Sequence, residues 1–154
     1  MKLFRLISLA ILSLLLVSSS LMAQDTPQMT DSTIHSGSMI IRLLDFSSND
    51  GKVMVGLYDS KEGYESNKSV KGFSSAITDG KVEYVLENIP FGIYAIKCYH
   101  DENLNGKMDA NMMGIPTEDY GFSNNASGSF GPAEYEDAKF EFSTDKQIVV
   151  INID

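Results

Sequence analysis

From residue 38 to the end, short runs of β-branched and aromatic residues alternate with turn residues. Such runs predict strands, bounded by the Gly, Asn, Asp and Pro clusters between them. Residues 39–46 form the first expected strand. Asn49-Asp50-Gly51 then turns the chain into a second at 52–58, with Val53, Val55 and Leu57 on one face. Residues 59–72 read as a polar loop with room for one short helical turn, and 73–77 as a third strand. Asp79-Gly80 leads into a fourth at 81–86, where Val82, Tyr84 and Leu86 alternate against Lys81, Glu83 and Glu87. Asn88-Ile89-Pro90-Phe91-Gly92 reads as a turn before a fifth strand at 93–100, and 138–142 and 147–153 complete the set. Seven strands with no long helical period predict an all-β fold, a seven-stranded antiparallel β-sandwich of immunoglobulin-like or transthyretin-like type. Residues 101–137 interrupt the pattern. A segment that long without a clear strand is functional or disordered, and Ile115, Tyr120, Phe122, Phe130 and Tyr135 within it argue for an ordered loop packed on the sandwich.

The first 23 residues belong to a different pattern. Lys2 and Arg5 precede an apolar run at 6–17, and Ser18, Ser19, Ser20 and Ala23 supply a cleavage region. This predicts a secretory signal peptide at 1–23 cut after Ala23, with Ser20 as the alternative. The run is about 12 residues, against about 20 for a bilayer span. No cysteine lies near the cut, so no lipid anchor is expected. Residues 24–36 are polar and read as a flexible leader, and 37–154 as the domain. The expected location is the periplasm or the cell exterior, with no membrane insertion once the signal is gone.

Composition sharpens this picture. The chain has 154 residues, 12 Lys+Arg against 21 Asp+Glu, and a formal charge of -9. Loss of Lys2 and Arg5 takes the charge to -11 (-9 minus 2). Such acidity disfavours nucleic acid, since few phosphates could be neutralised. Cys98 is the one cysteine, which excludes an internal disulfide and predicts a small buried hydrophobe.

The fifth strand runs directly into Asp101-Glu102-Asn103-Leu104-Asn105-Gly106-Lys107-Met108-Asp109. Oxygen-bearing side chains fall at loop positions 1, 3, 5 and 9 with glycine at 6, the spacing by which a tight loop turns alternate residues toward one calcium ion. Asp101, Asn103, Asn105 and Asp109 are the expected side-chain ligands, and Lys107 the expected backbone carbonyl ligand. Position 12 is Met112, and a strand precedes the loop. A helix-loop-helix hand is therefore excluded, and a further ligand is expected from Glu102, Glu118, Asp119 or water. The competing reading is a plain turn held by Asx hydrogen bonds.

Asn88-Ile89-Pro90-Phe91-Gly92-Ile93-Tyr94-Ala95-Ile96, the Tyr99 to Asp109 run, and Gly114-Ile115-Pro116-Thr117-Glu118-Asp119-Tyr120-Gly121-Phe122-Ser123-Asn124-Asn125 together resemble the signature of domain-of-unknown-function family 2141. The resemblance spans about residues 37–153, including Gly131-Pro132 and 135–140. It implies one exported β-sandwich domain and no particular activity. Residues 86–109 also resemble transthyretin-like and adhesin B-type sandwich modules, and the latter likeness implies a calcium-holding loop.

Other chemistry is thinner. His100 beside Asp101 and Glu102 could serve a small exported hydrolase as a general base; the simpler reading is a strand-end histidine at the rim. Cys98, His100 and Met108 are too cramped for a copper site, with only His35 to add an imidazole. The loop aromatics could form a glycan- or protein-docking surface, or staple the loop to the core. The overall expectation is an exported, non-enzymatic binding or structural module, stabilised by calcium, with a protein or glycan as its partner.

Overall fold

The structure, a computed structural model, describes residues 35–129 and 131–153; the expected signal peptide and residues 24–34 of the expected leader lie outside the described residues, as does Phe130. In chain order the elements are β1 (Ser36–Leu44), β2 (Lys52–Tyr58), α1 (Lys61–Glu65), β3 (Lys71–Ser75), β4 (Val82–Pro90), β5 (Gly92–Asp101), β6 (Tyr120–Phe122), a 3₁₀ turn (Ser123–Asn125), α2 (Tyr135–Ala138), β7 (Phe140–Phe142) and β8 (Gln147–Asn152). Among the described residues the fold is all-β in two sheets, with eight strands where seven were expected. The added strand is β6, inside the long loop.

One sheet has the order β4-β1-β8 and the other β3-β2-β5-β6, with β7 also paired to β5. Antiparallel pairing was expected throughout, but β1 and β8 run parallel, Met39 opposite Gln147 and Leu44 opposite Asn152. No short turn can join a parallel pair; here the pair consists of the first and last strands, so the whole domain is the connection.

Alternation builds the core. Met39, Ile41 and Leu43 of β1, Val82, Leu86 and Ile89 around β4, and Val149 and Ile151 of β8 share one cluster with Val53, Val55 and Leu57 of β2 and Ile96 and Cys98 of β5. The two sheets thus bury their facing sides against each other. A second cluster lies on the opposite face of β5, where Ala95 meets Tyr58, Tyr64, Phe122, Ala133, Tyr135 and Ala138. This explains why β5 shows consecutive buried residues instead of clean alternation.

The expected turn at Asn88-Ile89-Pro90 is instead the end of β4. Register slips between Gly37 and Met39 of β1, which face Ile89 and Leu86, so β4 carries the extra residue of a bulge. Asn88 absorbs it with φ 57. The turn at residues 49–51 forms as expected and needs its glycine. Gly51 has φ +69, and a Cβ there would lie 2.1 Å from the Asp101 carbonyl oxygen. This close approach seats the β1–β2 connection against the end of β5, where the candidate site begins.

Candidate functional site

β5 delivers His100 and Asp101 as consecutive residues, so their side chains leave on opposite faces. Both are fully buried. His100 Nε2 donates to the Asp50 carbonyl at 2.6 Å, and its ring meets Phe46 edge-on at 5.4 Å. Nδ1 has no hydrogen-bond partner, and Glu102 Oε1 stands 3.6 Å away. The imidazole therefore pins the 49–51 turn to β5 and is closed off from solvent. That geometry belongs to a packed strand-end histidine.

Asp101 lies at the head of the expected cation loop. Its Oδ2 accepts the Gly106 N–H at 3.0 Å and faces Lys52 Nζ at 3.7 Å. Its Oδ1 is buried and has no partner. Around the loop, Asn103 Oδ1 accepts the Asn105 N–H at 3.0 Å and Asn105 Oδ1 accepts the Lys107 N–H at 2.8 Å. The amide nitrogens of both asparagines turn to Asp109, at 2.5 Å for Asn103 and 3.0 Å for Asn105. Asp101, Asn103, Asn105, Lys107 and Asp109 are thus gathered in one loop by Asx-type hydrogen bonds.

Glu118 closes the loop. It is buried, its Oε1 accepts the Glu102 N–H at 3.2 Å, and its Oε2 accepts the Asp109 N–H at 3.0 Å. One carboxylate therefore clamps both ends of the segment. Of the other candidates for a further ligand, Asp119 offers its carbonyl to the His100 N–H, and the Glu102 carboxylate turns toward His100 and Ser47. The Asp109 carboxylate and the two side-chain amides meet here, with the Asp101 carboxylate beside Lys52 and Glu118 bonded to the backbone at both ends. Among the described residues no three His, Cys, Asp or Glu side chains stand close enough together to grip a metal. In this conformation the asparagine N–H groups occupy the Asp109 carboxylate.

Between Asp109 and Glu118 the chain forms a hairpin that the sequence reading did not resolve. Ala110 bridges Pro116, the Thr117 N–H bonds to the Asp109 carbonyl at 2.9 Å, and the Asn111 N–H bonds to the Ile115 carbonyl at 2.8 Å. Asn111 Oδ1 accepts from Met113 N at 2.9 Å and Ile115 N at 3.1 Å, and Gly114 turns the tip with φ +78. The signal was present in Asn111-Met112-Met113-Gly114, a turn sequence whose apolar centre hid it.

The return segment packs. Phe122 and Tyr135 are buried, Tyr120 rests on the same cluster, and the Tyr64 hydroxyl donates to the Ala133 carbonyl at 2.9 Å. Phe122 and Tyr135 thus staple the loop; Ile115, expected beside them, is instead exposed on the hairpin, and the expected role of Phe130 lies outside the described residues. Cys98 is buried as expected; its thiol donates to the Gly121 carbonyl at 3.3 Å, and burial pushes its pKa up to about 12. No helix among the described residues is long and apolar enough to cross a membrane.

The family model described as "Uncharacterized protein conserved in bacteria (DUF2141)" matches residues 41–150, from β1 into β8, and the chain belongs to that family. No curated protein and no solved structure matches the chain.

Proposed function

We propose that this DUF2141 chain is an exported, non-enzymatic binding or structural module of immunoglobulin-like or transthyretin-like sandwich type, whose 101–109 loop takes one calcium ion. The observation that carries the reading is the buried Asp101 Oδ1 without a partner. A buried carboxylate oxygen left unpaired is costly, and a cation is the simplest partner for it. Glu118 supports the same reading as the missing acidic ligand, supplied from beyond the hairpin in place of Met112 at position 12. With oxygens from Asp101, Asn103, Asn105, Asp109 and Glu118 and the Lys107 carbonyl, the donor set is hard and oxygen-only, which suits calcium. The enclosed ring of His100 supports a role in packing over one in catalysis. The alternation of positive start, apolar run and small residues at 1–23 supports export.

Sites of exported modules have Kd values on the order of 10⁻³ M. At a tenfold excess of calcium the native state then gains about 1.4 kcal/mol, a rise of about 5 °C in Tm for a domain of this size. Thermal unfolding in calcium and in chelator measures it. Asp101→Asn keeps an acceptor for the Gly106 N–H, removes the charge, and is expected to abolish the shift. An unchanged Tm at about 10 mM calcium would overturn the proposal.

A further inference from the structure

The sulfur atoms of the described residues divide into an enclosed set and a displayed one. Met39 of β1 is fully buried, and Met54 of β2 is half-buried. Cys98 is buried too, and with its pKa pushed up to about 12 the thiol stays protonated. Such a thiol is inert, because the thiolate is the reactive form. The hairpin shows the opposite case. Met112 is 105% exposed and Met113 80%, although methionine is among the residues most often buried. Met108, at the root of the hairpin, is 36% exposed. Residues 110–117 hold no charged side chain.

The turn that displays the pair keeps its shape without either thioether. The Gly114 N–H bonds to the Asn111 carbonyl at 2.9 Å, and the Asn111 N–H to the Ile115 carbonyl at 2.8 Å. Asn111 Oδ1 accepts from Met113 N at 2.9 Å and Ile115 N at 3.1 Å. These bonds use the backbone and the Asn111 side chain alone. An oxygen added to the sulfur of Met112 or Met113 therefore meets water and disturbs no packing. The same oxygen on Met39 would be a polar group forced into the core, which is costly. Charge narrows the choice of oxidant. A chain at -9 repels anions such as hypochlorite and leaves the approach of a neutral peroxide unaffected.

We infer that Met112 and Met113 form a reversible oxidation site, which takes oxygen from a neutral peroxide while Met39 and Cys98 are spared. In the step itself the sulfur lone pair attacks the terminal peroxide oxygen. The S–O bond forms as the O–O bond breaks, and the departing hydroxide takes the proton of the transferred oxygen and leaves as water. Sulfur is oxidised by two electrons and the peroxide is reduced by the same two, one peroxide per methionine. Thiol-dependent sulfoxide reduction, with one enzyme per sulfoxide epimer, restores the thioether. The inference goes beyond the calcium reading and stands without it, since no cation takes part.

Titration with hydrogen peroxide in chelator, followed by peptide-resolved mass spectrometry and by Tm, tests it. The wild-type chain is compared with Met112→Leu/Met113→Leu, which keeps two exposed apolar side chains and removes both sulfurs. The expected result is one oxygen each on Met112 and Met113 before any other described sulfur, with Met39 at least about tenfold slower and the Tm unchanged. Methionine sulfoxide reductases A and B with dithiothreitol are expected to remove both oxygens, and the variant to lose this first uptake. Oxygen arriving first on Met108, Met54, Met39 or Cys98 overturns the inference. So does a Tm that falls in step with oxidation at 112 and 113, a sulfoxide that both reductases leave in place, or a variant that takes up oxygen at the wild-type rate.

Discussion

Ser123 shows how much one hydroxyl can hold. It is fully buried; Oγ accepts the Ile96 N–H at 2.8 Å and donates to the Ala138 carbonyl at 2.5 Å, joining β5 to the end of α2. Ser123→Ala leaves both backbone groups without a partner in a dry site. It is expected to cost about 1–3 kcal/mol per stranded group, read as a lower urea midpoint; a change below about 0.5 kcal/mol would show that the link is not needed. At this scale the Asp/Asn loop was legible, because its alternating oxygen-bearing positions can be counted from Asp101. The missing partner of Asp101 Oδ1 was not, since it depends on where Lys52 of β2 and Gly106 settle around the carboxyl. Glu118 was one of four candidates, and only the fold brings it to the amides of Glu102 and Asp109.

Among the elements, β7 depends most on a single side chain. Its three residues pair only with Gly92, Ile93 and Tyr94, so the strand has little ladder of its own. Phe142 is fully buried and meets Phe91 and Tyr94 edge-on at 5.2 and 6.4 Å. Phe142→Ala is expected to cost about 3–5 kcal/mol and to expose the amides of 140–142 to hydrogen exchange before those of β5. Simultaneous exchange of both strands would mean that β7 is held by its ladder after all. Strands with their own alternation were readable: β2 occupies residues 52–58 as expected. β6 was hidden because Tyr120-Gly121-Phe122 is too short to alternate, and its strand character comes from pairing with residues 97–99 of β5. The 138–142 strand was half right, since residues 135–138 form α2 first. β4 runs through Asn88 because a bulge opposite β1 uses the same asparagine chemistry as a turn.

Across the whole molecule, the all-β class followed from the strand count and the two-sheet core from the inward faces of β1, β2, β4 and β5. Pairing direction did not, because no local pattern tells a terminal strand that it will lie parallel to the first. The segment 101–137 resolves into three parts with separate physical roles: an Asp/Asn loop clamped by Glu118, an uncharged finger, and an aromatic return that covers β5. Asp101, Asp109 and Glu118 all bond within the first of these parts, with Lys52 beside Asp101. The most direct test of the central claim is a crystal structure grown in millimolar calcium. The proposal predicts one ion at about 2.3–2.6 Å from Asp101 Oδ1, Asp109 and Glu118, with the Asn103 and Asn105 amides turned to present oxygen. A loop that keeps both amide nitrogens on Asp109, with no ion beside Asp101, would contradict it.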